Sequence, residues 1–413
     1  MKNKIKVVVT AVNACSSLGT DITQIWHKLK RGISGIKPIS RINVDHNFTK
    51  VGAQMDDNYQ KLLDLSNKDS LSKCAELSLL CAQGLLEQSN LNKLTDSYHE
   101  IGLVLGSGLG GLYFSDDSLK KIYDLPVKRI HPFTVPFVDP NSIVSAISRR
   151  WRMYGHQLTI STACSSGANA IGTSLDLIRS GRLNCVITGG VEYTFSPLIF
   201  SGFDQLRAMS RSNQSPEISC KPFSQDRDGF VMGEGAAMLM LESEQHALAR
   251  GATILAELSG YGVTGGGHHI VKPVEDGSDG YKAMIMALKD ANITPEQIDL
   301  ISPHGTGTRL NDQAEYAAMA NLFTDKLAKI PVVPLKQLTG HMLGASGAFE
   351  AVHLVKCIEE QIVTPIIHYK PEQDQRLNIS TTESYAKSIG SAISNSFGFG
   401  NNNVSLVFNK YVN

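Results

Sequence analysis

Short apolar runs alternate with longer stretches of helical period along this chain. The runs predict strands at Lys6–Thr10, Ile101–Leu105, Leu158–Ser161, Cys185–Thr188 and Ala237–Leu241. Later strands are expected at Ile254–Leu258, Leu300–Ser302, Val332–Val333 and Val404–Phe408. Apolar residues recurring every three or four positions predict helices over Lys73–Glu87, Tyr281–Ala291, Gln313–Leu322 and Ala348–Gln361. Strands and helices in alternation imply an α/β architecture whose sheets are largely buried. No residue-level repeat, low-complexity segment or long linker interrupts it. The glycine-rich stretch Gly260–Gly277, which holds His268 and His269, reads as a mobile loop.

Composition narrows the class. At 413 residues, with 42% hydrophobic and 19% charged positions, the chain can bury a substantial core. Its 39 basic and 39 acidic side chains cancel, which argues against nucleic acid as the main partner. Seven cysteines without disulfide-like spacing point to a reducing, cytoplasmic setting. The opening MKNKIKVVVT has lysines before an apolar run, but Thr10 and Asn13 break it too early for an export signal, so a first core strand is expected. No run approaches the length of a membrane helix.

Three segments carry candidate chemistry. In QLTISTACSSGANAIG a strand breaks at Thr162-Ala163-Cys164, and Ile171, Leu175 and Ile178 then mark a helix that stops at Gly181. Cys164 is thereby expected on the first helical turn, where unpaired N–H groups and the dipole favour a nucleophilic thiolate. Ser165, Ser166, Gly167 and Ala168 leave the sulfur open to approach. Far downstream, SPHGTGT holds His304, and LKQLTGHMLGASGA holds Lys336 and His341. Each histidine ends an apolar segment beside glycine and threonine, where backbone can come close to a ligand. A cysteine with distant histidines is a nucleophile arrangement whose parts meet only in the fold. No Cys-x-x-Cys occurs, so a metal site is not expected.

STACSSG, DRDGFVMGEGAAMLMLE, PHGTGT, the lysine-to-TGH element and NSFGFGNNN occur in that order. Together they resemble the β-ketoacyl-acyl-carrier-protein synthases of the thiolase superfamily, in their elongating Cys-His-His group. The resemblance spans essentially the whole chain. It implies a thiolase fold of two similar halves in a layered αβαβα core, divided as 1–255 and 256–413. It implies a decarboxylative Claisen condensation between a Cys164-bound acyl chain and malonyl carrier protein, without a cofactor. His304 and His341 would hold the malonyl thioester carbonyl, and the N–H groups of Cys164 and Phe399 would form the oxyanion hole. Lys336 would orient and polarise, with Glu315 as its acidic partner. Phe399, hinged by Gly398 and Gly400, would gate the acyl pocket, and Leu109 would line it.

The resemblance also implies acyl and malonyl carrier proteins as partners, contacted by Lys128, Arg129 and Arg207, and a dimer with an identical or ketosynthase-like subunit. Several positions depart from the family pattern. Asn401 and Asn402 stand where a glycine and a threonine are usual, Gly266 where an aspartate is common, and His268 where a tyrosine is common. A basic segment is thinned to Ser66-Asn67-Lys68-Asp69. These departures favour a specialised pathway, of type II polyketide- or polyene-like or fatty-acid kind, over housekeeping fatty-acid elongation. A non-catalytic chain-length factor would usually lack the cysteine, and a degradative thiolase would carry a second cysteine near His341.

Overall fold

The computed structural model describes residues 4–63, 71–91, 100–124, 130–380 and 383–412. Nine strands build the main sheet: β1 (Val7–Ser16), β2 (Gly102–Gly106), β3 (Gln157–Ile160), β4 (Cys185–Glu192), β5 (Gly235–Ser243), β6 (Ala256–Gly265), β7 (Leu300–Ser302), β8 (Ser391–Gly398) and β9 (Asn402–Asn409). Their spatial order is β3-β2-β4-β5-β1-β6-β9-β8-β7. The two sides mirror each other. From β1 outward, pairing runs antiparallel twice and then parallel, and from β6 outward it does the same. The sides join through only two residue pairs, Val8 with Glu257 and Val9 with Ala256.

Alternation along each strand sends neighbouring side chains to opposite faces, and this creates the layers. Six helices matter: α1 (Lys73–Ser89), α2 (Ser142–Trp151), α3 (Ser166–Arg179), α4 (Ser278–Ala291), α5 (Arg309–Phe323) and α6 (Ser346–Glu360). Leu103, Leu105 and Ile187 pack outward on α1 and α2, whereas Val104 and Val186 face the central core with α3 and α6. On the other side Val407 packs outward with Met284 and Met319, while Leu406 and Phe408 face the same centre. The result is the αβαβα thiolase fold, with α3 and α6 as its middle layer. α6 is buried from Ser346 to Val355, and Lys356, Glu359 and Glu360 fall in its less buried last turn.

β1 runs on to Ser16 and is buried throughout, as a core strand should be. Two expectations need correction. Gly260–Gly265 belongs to β6 rather than to a loop. A Cβ at Gly262 would lie 2.1 Å from the Ala283 carbonyl oxygen, so glycine there lets the strand touch α4. Val332–Val333 forms only an isolated bridge to Ile301, while β8 forms where the sequence showed only a motif.

Candidate active site

The nucleophile turn is built from small hydroxyl residues. β3 ends at Ile160, Ala163 takes a left-handed φ of 52°, and Cys164 stands immediately before the N-cap Ser165 of α3. That places the sulfur just ahead of the helix rather than on its first turn. A left-handed alanine is held only where its surroundings over-determine it. Here the Thr162 N–H donates to Ser166 Oγ at 2.9 Å, and Ser166 Oγ donates to the Ala163 carbonyl at 2.6 Å. Asn169 Nδ2 braces Thr162 Oγ1 at 2.8 Å, and Tyr261 OH holds Asn169 in turn at 2.7 Å.

The expected thiolate is not what this site favours at rest. Burial pushes the Cys164 thiol up to about 11, opposed by the Lys336 charge and by the N–H groups of Phe399 and of Cys164 itself. Desolvation outweighs the helix end, because the sulfur lies deep in an apolar-walled cavity. Deprotonation therefore needs a partner, and His341 Nε2 lies 3.2 Å from Sγ. All seven cysteines are free and buried, but Cys164 lines the apolar-walled cavity that His304 and His341 also line. Iodoacetamide should label it first, with a rate climbing about tenfold per pH unit towards pH 11. Cys185, which borders a separate polar cavity and is pushed well above its usual range by burial, is the competitor. Peptide mapping that finds Cys185 labelled ahead of Cys164 would contradict this assignment.

Both histidines reach the same cavity from the second half. His304 follows β7, and His341 follows the helical turn Lys336–Thr339, its N–H donating to the Val231 carbonyl at 2.6 Å. Their rings meet edge to face with centroids 5.3 Å apart. Burial first, and then the Lys336 charge, holds both imidazoles well below their usual range, so they are neutral. Lys336 Nζ lies 3.4 Å from His304 Nδ1 and also donates to the His304 carbonyl. An ammonium can only donate, which leaves the His304 proton on Nε2. Ser346 Oγ, 2.9 Å from His341 Nδ1, can either donate to that nitrogen or accept from it, so the second ring can present a bare Nε2 or an Nε2–H to the sulfur.

The acidic partner of Lys336 is Glu350, at 2.5 Å, and not Glu315. Glu315 instead accepts the backbone N–H groups of His304 at 2.7 Å and Gly305 at 2.8 Å, and Asn395 Nδ2 at 3.3 Å. It shapes the histidine loop, while Glu350 on α6 neutralises the lysine. Burial raises both carboxyls to about 7. A signal for Glu350 existed: it is a lone acid inside the apolar run Ala348–Val355. Lys336→Ala should cost roughly 3–5 kcal/mol of unfolding free energy, since it strands Glu350 without water or partner. Denaturant melts read this directly, and a loss below about 1 kcal/mol would mean the pair is not buried in solution.

The cavity holds about 510 Å³. Phe203, Leu206, Phe230, Leu343, Phe397 and Phe399 give it apolar walls, and Arg207, Lys272 and Arg309 lie at its polar side. Phe399 leans on Phe203 with centroids 6.3 Å apart, and Gly400 takes φ 76°. Leu109 is not among the residues that line the cavity; it packs in the apolar cluster that also holds Phe203 and Phe230. The Phe399 turn is clasped to the 266–270 segment. The Gly400 N–H donates to the Ile270 carbonyl at 2.9 Å, the Gly266 N–H to the Asn401 carbonyl at 2.9 Å, and Asn401 Nδ2 to the His269 carbonyl at 2.9 Å. A Cβ at Gly266 would lie 2.5 Å from Asn401 Cβ, so the two departures fit each other. His268 and His269 are both exposed, and of the two His269 lines the cavity. Lys128, Arg129 and the Ser66–Asp69 segment lie outside the described residues, and of the expected carrier contacts Arg207 borders the cavity.

Fold and sequence comparisons define the class as an acyl-transferring condensing enzyme of thiolase fold. The β-ketoacyl synthase N-terminal domain matches residues 4–247 and the C-terminal domain residues 255–370, and the chain belongs to this family. It is 34% identical to 3-oxoacyl-[acyl-carrier-protein] synthase 2 of Staphylococcus aureus strain MRSA252, over all of both chains. It is 35% identical to the Synechocystis synthase of the same name, over 99% of each. Among solved structures, a type II polyketide ketosynthase in complex with its acyl-carrier protein and bound to a hexaketide superposes with a TM-score of 0.90 at 28% identity. It covers 99% of this chain and 100% of that one. The ishigamide ketosynthase/chain length factor gives 0.90 at 29% identity, over 99% of this chain and all of that one. Among the described residues no helix is long and apolar enough to cross a membrane.

Proposed function

We propose that Cys164 carries the acyl chain and that His304 and His341 drive decarboxylation of the malonyl unit. The observation that carries this reading is the convergence at one buried sulfur of His341 Nε2 and the N–H groups of Cys164 and Phe399, with the neutral His304 ring beside them. In the first half-reaction the Cys164 proton passes to His341, and the sulfur attacks an acyl-carrier thioester. The two N–H groups receive the oxyanion, and the free carrier thiol leaves with the proton. In the second, Nε2–H donors of His304 and His341 hold the malonyl thioester oxygen while carbon dioxide departs. The resulting enolate carbon attacks the acyl carbonyl, the carbon–sulfur bond to Cys164 breaks, and the thiolate takes up from solvent the one proton that the overall reaction consumes. The product is a β-ketoacyl carrier two carbons longer. Lys336 with Glu350 positions His304, and Glu315 holds its loop.

The partners in this reading are acyl and malonyl carrier proteins, docking over Arg207, Lys128 and Arg129. A second ketosynthase-like subunit, identical or not, would cover the exposed edge strand β3 and the apolar surface of Ile122, Tyr123, Phe133 and Val135, of which Tyr123 is 81% and Val135 79% exposed. The halves 1–255 and 256–413 would supply Cys164 and the histidines respectively, and seven free thiols support a cytoplasmic setting.

The Asn401–Gly266 clasp supports a specialised acyl preference, because it ties the Phe399 turn in a way the usual residues would not. Housekeeping elongation is the second reading, favoured by the names of the curated relatives. Acylation of Cys164 by a panel of acyl carriers separates them. The wild-type enzyme should rank chains steeply, and Phe399→Ala should flatten that ranking by opening the gate. Even acceptance of saturated medium and long chains by the wild-type enzyme would refute the specialised reading.

A further inference from the structure

Glu192, at the end of β4, is a fully buried carboxylate that the chemistry above does not use. Each of its oxygens is saturated by two donors. Oε1 accepts Ser107 Oγ at 3.0 Å and the Leu109 N–H at 3.0 Å. Oε2 accepts the Gly108 N–H at 2.7 Å and the Gly344 N–H at 2.9 Å. These donors come from two functional segments. Leu109, at the end of Ser107–Leu109, packs in the same apolar cluster as Phe203 and Phe230, which line the cavity wall. Gly344 belongs to the turn that carries His341 and Leu343 and leads on to Ser346, the partner of the His341 ring.

The two segments meet with no side chain between them. A Cβ on Gly344 would lie 2.4 Å from the Gly108 nitrogen and 2.6 Å from Glu192 Oε2. Phe230, packed near Leu109, also sets its ring edge to face against His341 at 5.6 Å. A displacement of the pocket wall therefore has two short paths to the histidine, one through packing and one through the carboxylate. A buried network with every member satisfied is stiff, so it transmits position rather than absorbing it.

We propose that Glu192 is a positioning residue that couples the acyl-pocket loop to the His341 turn, so that the bound acyl chain sets the histidine for decarboxylation. The inference rests on the condensing reaction proposed above. A chain of fitting length presses the wall into register, the Ser107–Leu109 loop follows, and Glu192 carries the shift to Gly344. The pairing of pocket occupancy with malonyl decarboxylation is then a coupling between two sites of one enzyme, and it is reciprocal in binding terms.

The test uses full-length enzyme preloaded on Cys164 with acyl chains of graded length, followed by single-turnover release of carbon dioxide from malonyl carrier. Wild-type rates should depend on chain length. Glu192→Gln keeps the shape but turns one acceptor into a donor facing N–H groups. It should lower release from the best chain on the order of tenfold to a hundredfold and flatten the dependence on length. Ser107→Ala, which keeps the charge and three donors, should flatten it partly, and it serves if Glu192→Gln does not fold. A Glu192→Gln or Ser107→Ala enzyme that melts lower but keeps the wild-type ranking of chains would overturn the coupling. So would wild-type release that ignores chain length. Absence of any acylation or release in the wild-type enzyme would instead refute the condensing assignment itself.

Discussion

Cys164→Ala should abolish condensation, with a fall of at least about 10⁴-fold, because no other thiol can take the acyl chain. The remaining cysteines are buried, and none lines the cavity that His304 and His341 share. Cys164→Gln separates the half-reactions. A neutral amide imitates the acylated sulfur in size and charge, and the two histidines stay free to hold a malonyl thioester. That variant should release carbon dioxide without making product. Retention of condensation by either variant would place the nucleophile elsewhere.

The second large effect concerns the histidines, and the geometry makes them unequal. His304→Ala and His341→Ala should each slow malonyl decarboxylation on the order of a hundredfold or more, since each removes one donor to the enolate oxygen. Only His341 faces the sulfur, at 3.2 Å, while His304 is turned towards Lys336. Acylation of Cys164 should therefore suffer clearly in His341→Ala and little in His304→Ala. Rapid-quench acylation alongside carbon dioxide release reads both steps. Equal loss of acylation in the two variants would mean that the proton relay is shared. Both rings are already neutral through burial, so acidification has to overcome desolvation before either donor role changes.

Much of this site is legible in the sequence because its parts sit in short, chemically constrained segments. Cys164, His304, Lys336 and His341 each come with small residues that the local backbone demands, and the structure brings all four together. The strand and helix series is legible for the same kind of reason: β1, β5 and β9 are apolar runs, and α4 and α5 keep a helical period. The errors fall where a residue's environment is decided by distant packing. Glycines at 260 and 262 look like loop residues until α4 is seen lying against them. Glu315 and Glu350 are both buried acids near Lys336, and only the placement of α5 in the outer layer and α6 in the middle layer decides which one meets the ammonium. The thiol of Cys164 obeys the depth of its cavity rather than the helix that follows it. Glu192 gives no local signal at all, because its four donors come from two loops remote in sequence.

The most direct test of the central claim follows carbon through the enzyme. Purified protein is loaded with an acyl carrier, quenched and mapped by mass spectrometry, then chased with malonyl carrier labelled with carbon-13 at the methylene. The account predicts an acyl adduct on the peptide containing Cys164, lost on the chase as a β-ketoacyl carrier two carbons longer appears. The product should retain the labelled methylene, with one carbon dioxide released for each molecule formed. An adduct on another residue, or elongated product formed without any acyl-Cys164 intermediate, would contradict it.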